Sequence, residues 1–193
     1  MTNNIREIKP LLSFDSEDEF YFIQILKRRK DNPGMSKDCK IIKNYYVRSI
    51  EYLDSKMDEI IFLCNHFNAR ATIRLNKRSY KKAALHMIAE LAKSVAHENY
   101  RVASGLFDSA AGHARTGDKL WIVDVDTDML DHGHLVIDSI ESIEPMCDVK
   151  CVLTLPSKTG VHIISKPFNL QRFKELWPTV DVQKDNPTNL YIP

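Results

Sequence analysis

The stretch Trp121-Ile122-Val123-Asp124-Val125-Asp126 is an apolar strand that carries two carboxylates. Side chains alternate along a strand, so Ile122, Asp124 and Asp126 share one face while Trp121, Val123 and Val125 share the other. Like charges two residues apart on one face repel unless a cation or a basic partner lies between them. Hard divalent cations such as Mg²⁺ meet that need, because they take carboxylate oxygens and keep room for phosphate ligands. The strand therefore points to metal-assisted phosphoryl chemistry. Asp-x-Asp also commonly ends a strand or begins a turn, so its surroundings decide.

Downstream, Lys150–Leu155 and Val161–Ser165 read as two strands joined by Pro156-Ser157-Lys158-Thr159-Gly160. That turn offers hydroxyls, one cation and a run of backbone N–H groups, which suits a small phosphate cradle. His162 follows Gly160 by two residues, and the glycine leaves the strand face open beside the imidazole. An ordinary hairpin turn with a half-exposed histidine has the same composition. Further on, Val180-Asp181-Val182 sets one carboxylate between two valines on a short extended segment. Asp185 competes for the same role, but Lys184-Asp185-Asn186-Pro187 has the composition of a turn.

Upstream, Glu19–Arg29 and Lys40–Ile50 are rich in Phe, Tyr and Ile and flank a polar loop with Asn32-Pro33-Gly34, which predicts a long-looped hairpin. Asp54 is placed to cap a helix running to Phe67, with Met57, Ile60, Ile61 and Cys64 on its buried stripe. Ala69–Leu75 alternates as a strand, with Arg70, Thr72 and Arg74 on its polar face. Ser79 opens a helix to about His97, whose Ala83, Ala84, Met87, Ile88, Leu91 and Val95 give it a broad apolar face. Helices are expected over Val102–Ala111, Leu135–Ile143 and Asn169–Leu176, with a last extended piece at Asn189–Ile192. This order predicts an α+β fold with a mixed, largely antiparallel sheet and flanking helices. The whole chain, 1–193, is expected to form a single domain, with 1–100 as an N-terminal lobe and 101–193 carrying the chemistry.

Taken in order, Ile122-Val123-Asp124-Val125-Asp126, Ser157-Lys158-Thr159-Gly160-Val161-His162-Ile163-Ile164 and Val180-Asp181-Val182 resemble the three motifs of the archaeo-eukaryotic primase superfamily, the primase-polymerase catalytic core. Asn189-Leu190-Tyr191-Ile192-Pro193 resembles the apolar strand and proline that follow the third motif. The resemblance spans about Trp121 to Pro193. It implies an RRM-like catalytic module joined to an N-terminal α/β part. It also implies that Asp124, Asp126 and Asp181 hold two Mg²⁺ or Mn²⁺ ions and that His162 contacts the phosphates of an incoming nucleoside triphosphate. Ser157, Lys158, Thr159 and Gly160 become further nucleotide contacts. The activity implied is nucleotidyl transfer to a 3′-hydroxyl on a DNA or RNA template. In this sequence the small residue two before the histidine is Gly160, and Ser157 stands further off. No helical priming domain or helicase follows the third motif, so a helicase or other replication protein is an expected partner.

The same acidic cluster could instead activate water in a nuclease, and a non-catalytic accessory protein of replication could keep the fold. The hairpin favours a triphosphate over a simple scissile phosphate. The 193 residues are 44% hydrophobic and 27% charged, with a net charge of +1. A protein that coats nucleic acid carries a stronger basic imbalance. Basic surface is expected locally, at Lys27–Lys30 and at Lys77, Arg78 and Lys81-Lys82, with Tyr80 available to stack on a base. Arg70 and Arg74 could meet a backbone phosphate, or simply a solvated face. No run approaches the roughly 20 apolar residues that span a membrane, and the polar N-terminus is unlike a signal peptide. Four scattered cysteines suit a reducing cytoplasm. Cys147 and Cys151, with His132 and His134 before them, lack zinc-knuckle spacing, and a packed thiol is the simpler reading.

Overall fold

The structure, a computed structural model, describes residues 1–193. Nine strands form two antiparallel sheets, with six helices around them, the first, α1 (Ile5–Ile8), a single turn. The expected α+β class holds, with two sheets where one was expected. The first sheet orders β1 (Thr2–Asn3), β9 (Thr188–Ile192), β4 (Arg70–Ser79), β2 (Glu19–Arg28) and β3 (Cys39–Val47) side by side. The second orders β6 (Cys151–Pro156), β7 (Gly160–Ser165), β5 (Trp121–Asp126) and β8 (Asp181–Gln183). The last strand, β9, returns to the first sheet and pairs with both β4 and β1. A boundary at residue 100 therefore cuts across the sheet that the C-terminus completes.

Helix α2 (Ile50–Phe67) covers one face of the first sheet through Leu53, Met57, Ile60 and Cys64. It starts one turn earlier than Asp54 suggested, because the Ser49 hydroxyl accepts the Tyr52 N–H and caps it. Asp54 lies inside the helix and pairs with Lys9. At the other end Asn68 takes the left-handed conformation, with φ 47° and ψ 55°, that closes a helix. The opposite sheet face packs Phe20 and Phe22 under α4 (Leu106–His113), with Tyr46 and Tyr80 at its margin. Helix α4 begins after a 3₁₀ segment, Tyr100–Gly105, which occupies the first half of the helix expected from Val102.

Helix α3 (Tyr80–Ala96) is capped by Ser79 as expected, but its apolar face is not a core face. Only Ala83 is buried, against Ala110 and Ala114, while Leu85, Ile88, Leu91 and Val95 are exposed. The small residues set a close helix contact on one side, and the large apolar residues point away from it. The apolar face exists, but the chain covers only Ala83 fully and Ala84 and Met87 in part.

The second sheet is packed on both faces. Trp121, Val123, Val125 and Ile163 meet α5 (Gly133–Ser142) and α6 (Leu170–Leu176) through Val136, Ile140 and Phe173. Ile122, Ile164 and Leu155 join the core of the first sheet. Each of these fully buried aliphatic side chains contributes about 1.5–3 kcal/mol. No helix is long and apolar enough to cross a membrane.

Candidate active site

Along β5 the inward face runs from apolar to polar: Ile122 is buried, Asp124 is half-buried and Asp126 is exposed. Ile122 belongs to the junction between the sheets, so the carboxylates emerge where that junction opens. Strand pairing adds the rest. Asp124 stands directly opposite His162 on β7 and directly opposite Asp181 on β8. Directly opposed residues share a face, so Asp181, Asp124 and His162 form a row across three strands, with Asp126 one step along.

His162 is buried and its ring is held from both sides. Nε2 lies 3.5 Å from Asp124 Oδ1, and Nδ1 lies 2.8 Å from the Thr188 hydroxyl. A proton on Nε2 serves both contacts, because it faces the carboxylate while Nδ1 accepts from Thr188. Burial lowers the imidazole pKa below its usual value, against the pull of Asp124 and Asp126. Asp124 is shifted the other way. Burial raises its pKa most, the His162 charge opposes this, and Asp126 and Asp181 raise it further. The row is thus an unneutralised acidic cluster, half out of water.

Gly160 faces Asp126 across the β5–β7 pair with φ +153°. A Cβ at this position would lie 2.0 Å from the Val125 carbonyl oxygen and 2.9 Å from the Asp126 Cα. Only glycine permits that approach of the two strands. The turn before it is braced by Ser157 N–H to the Gly160 carbonyl, 2.9 Å. Thr127, the residue after Asp126, donates to the Thr159 carbonyl from its N–H at 2.9 Å and from its hydroxyl at 2.7 Å. Ser157 is half-buried, and Lys158 and Thr159 are exposed. The Ser157 amide is spent inside the turn, so the phosphate cradle expected there has one donor fewer.

Other expected contacts are engaged within the protein. Strand β4 lies in the middle of its sheet with both faces covered, so its polar face is not the solvated surface expected from alternation. Arg70 forms two 2.7 Å hydrogen bonds to the Asp31 carboxylate, which the Lys158 ammonium also meets. Lys77 is paired with Glu19 at 2.9 Å and with Asp15. Arg78 is fully buried and grips Asp185 with bonds of 3.0 and 2.8 Å, and Arg74 donates to the Asp185 backbone carbonyl. Tyr80 packs against Phe20, ring centroids 4.4 Å apart. The nucleic-acid track expected at Arg70, Arg74, Lys77, Arg78 and Tyr80 therefore does not present free donors or a free ring.

Sequence alone does not single out Asp31, Thr188 or Asn4, and it sets Asp185 aside as a turn residue. Asn4 is buried and donates to the carbonyls of Pro156 and Asn189 at 3.0 and 2.9 Å, which fastens the hairpin to β9. Nothing local marks these residues, because each acts through a partner far away in sequence. Cys64 and Cys151 are pushed by burial to a pKa of about 12, which suits packed thiols; Cys39 and Cys147 are exposed.

Three carboxylates in one neighbourhood, none matched by a lysine or arginine, are the donor chemistry of a hard divalent cation. No three His, Cys, Asp or Glu side chains converge to ligating distance, and Asp181 accepts a 2.9 Å hydrogen bond from Gln183. Among known proteins, no family, no curated sequence and no solved structure matches the chain. The likeness to primase-polymerases rests on the motif residues alone.

Proposed function

We propose that the protein is a metal-dependent nucleotidyltransferase of primase-polymerase type, adding nucleotides from nucleoside triphosphates to a nucleic-acid 3′-hydroxyl. The observation that carries this reading is the register that aligns Asp181, Asp124 and His162 across β8, β5 and β7. Three short motifs, scattered in sequence, meet in one row.

Asp124, Asp126 and Asp181 would hold Mg²⁺ or Mn²⁺, which supplies charge neutralisation for a triphosphate and acidifies the attacking hydroxyl. The chain's own residues do the positioning. His162, with Nδ1 fixed by Thr188, presents its Nε2–H at the edge of the carboxylate row, where it can donate to a phosphate oxygen. Gly160 keeps that approach clear of side chains. Burial of Ile122 and Ile164 beneath the row excludes water from one side, which strengthens each charge interaction above it.

Primer extension and de novo synthesis with Mg²⁺ or Mn²⁺, on wild type and on Asp124→Ala/Asp126→Ala, test the proposal. Metal-dependent product from wild type and none from the variant supports it. Degradation of the nucleic acid without extension replaces it with a nuclease using the same carboxylates.

A further inference from the structure

A polar cavity of about 360 Å³ opens beside the start of β5, lined by His113, Arg115, Lys119, Trp121, Lys184 and Asp185. That volume falls at the lower end of small-molecule sites. Trp121 lies on the strand face opposite Asp124 and about 10 Å before it, at 3.3 Å per residue. The cavity is therefore separate from the carboxylate row.

Its charge is out of balance. Asp185 is the one carboxylate in the lining, and both its oxygens are taken by Arg78, with Asn76 adding a 2.9 Å bond. Behind it lies a second largely buried guanidinium, Arg74, which donates to the Asp185 backbone carbonyl and not to the carboxylate. Burial lowers the Arg74 pKa, and the charge of Arg78 lowers it further. Arg115, Lys119 and Lys184 thus line the cavity with no carboxylate left for them. Lys184 lies over the Trp121 ring, 5.3 Å from its centroid. Within the lining, the indole nitrogen of Trp121 is buried without an acceptor. Buried donors without partners are rare, and an anion resolves both the charge and the hydrogen-bond deficit.

We propose that this cavity binds a phosphate-bearing ligand, either a nucleoside polyphosphate or the phosphates of a nucleic-acid strand. Guanidinium and ammonium groups around a small polar cavity recognise phosphate by charge-assisted hydrogen bonds. The inference uses nothing from the carboxylate row and stands apart from the nucleotidyl-transfer reading.

Calorimetric titration with tripolyphosphate in EDTA tests it, since metal-dependent binding at the carboxylates is silent there. Wild type binds, and Arg115→Ala/Lys119→Ala/Lys184→Ala loses at least about tenfold in affinity, the equivalent of 1.4 kcal/mol. The three side chains are exposed or half-buried, so the variant keeps the wild-type circular dichroism spectrum and melting temperature. Asp124→Ala/Asp181→Ala binds as wild type does. Competition by ATP or by a 5′-phosphorylated oligonucleotide then identifies the source of the phosphate. Failure of wild type to bind tripolyphosphate overturns the proposal. So does unchanged affinity in the triple variant, or tighter binding in the aspartate variant, which would place the anion at the carboxylate row.

Discussion

Asp124 and Asp181 face each other directly across β5 and β8, a like-charge pair held by the sheet itself. Such cross-strand pairs destabilise a sheet, and here the strain falls on the half-buried member. Folding places Asp124 where burial, Asp126 and Asp181 all disfavour its charge, with His162 as the opposing influence.

Asp124→Asn should therefore stabilise the metal-free protein at neutral pH. The folded-state pKa of Asp124 is raised, so the folded state holds the extra proton between the unfolded pKa and the folded one, and stability falls as pH rises through that window. Above it, an amide removes the penalty. A rise in melting temperature is expected, at about 2–4 °C per kcal/mol for a chain of this size. In the wild type, Mg²⁺ or Mn²⁺ should raise the melting temperature by mass action, and the Asn variant should respond much less. A lower melting temperature for Asp124→Asn without metal counts against the account.

His162 gives the opposite pH dependence. Its folded pKa lies below the ordinary value because it is buried, so the unfolded chain takes up the proton first as pH falls. This histidine's contribution to stability is complete above the unfolded pKa of 6.5 and is lost progressively as pH drops toward the folded one. In Asp124→Asn the opposing carboxylate is gone, so the His162 resonances in NMR should titrate at still lower pH than in wild type. Thr188→Val removes the Nδ1 partner while keeping the shape. On the proposed nucleotidyl-transfer reading, it should raise KM for the nucleotide more than it lowers kcat.

The longer strands and the three motif segments are legible because each carries its own local signal, whereas the two-residue β1 is not. Alternation defined β5, the composition of Pro156–Gly160 defined the β6–β7 turn, and Asn169 capped α6 as its residue type requires. The row itself was not legible, since register between distant strands leaves no trace in local periodicity. The Arg70 and Arg78 pairs were hidden for the same reason. Alternating charge on β4 looks like a solvated face until β9 and Asp185 arrive from the C-terminus. Helix α3 misled in the other direction, because apolar periodicity says that a face exists but not that the chain covers it.

Ile88→Glu on α3 checks that last point. Ile88 is 61% exposed, so the change should leave stability within about 0.5 kcal/mol of wild type by chemical denaturation. A core residue of that size would cost several times more on acquiring a charge. A loss above about 2 kcal/mol would mean that the stripe is buried after all.

Asp31 joins three elements that are distant in sequence. Its carboxylate holds Arg70 on β4 and meets Lys158 in the hairpin turn, and Arg70 above all holds its pKa down to about 2. A lowered carboxylate pKa contributes stability that is present above the unfolded value and lost as pH falls toward 2. Asp31→Ala strands a largely buried guanidinium and should cost about 3 kcal/mol, the range for breaking a buried pair. Lys158→Ala removes only the exposed partner and should cost less than about 1 kcal/mol. Equal losses from the two would show that the exposed lysine, and not the buried arginine, carries the link.

Gly160→Ala tests the approach of β7 to β5 beside the carboxylates. The added methyl meets the Val125 carbonyl oxygen at 2.0 Å, a contact with backbone that no side-chain rotation relieves. The positive φ adds strain of its own, of order 1–3 kcal/mol. The strands must separate at this point, which moves His162 away from Asp124 two residue pairs further in. Destabilisation of about 2–4 kcal/mol is expected and, if the proposed nucleotide site is present, loss of nucleotide-dependent stabilisation even at temperatures where the variant remains folded. Gly112→Ala is the control, because a Cβ there meets nothing within 4 Å. A Gly160→Ala protein as stable as that control, with nucleotide stabilisation intact, would show that the strand approach is not needed to form the row.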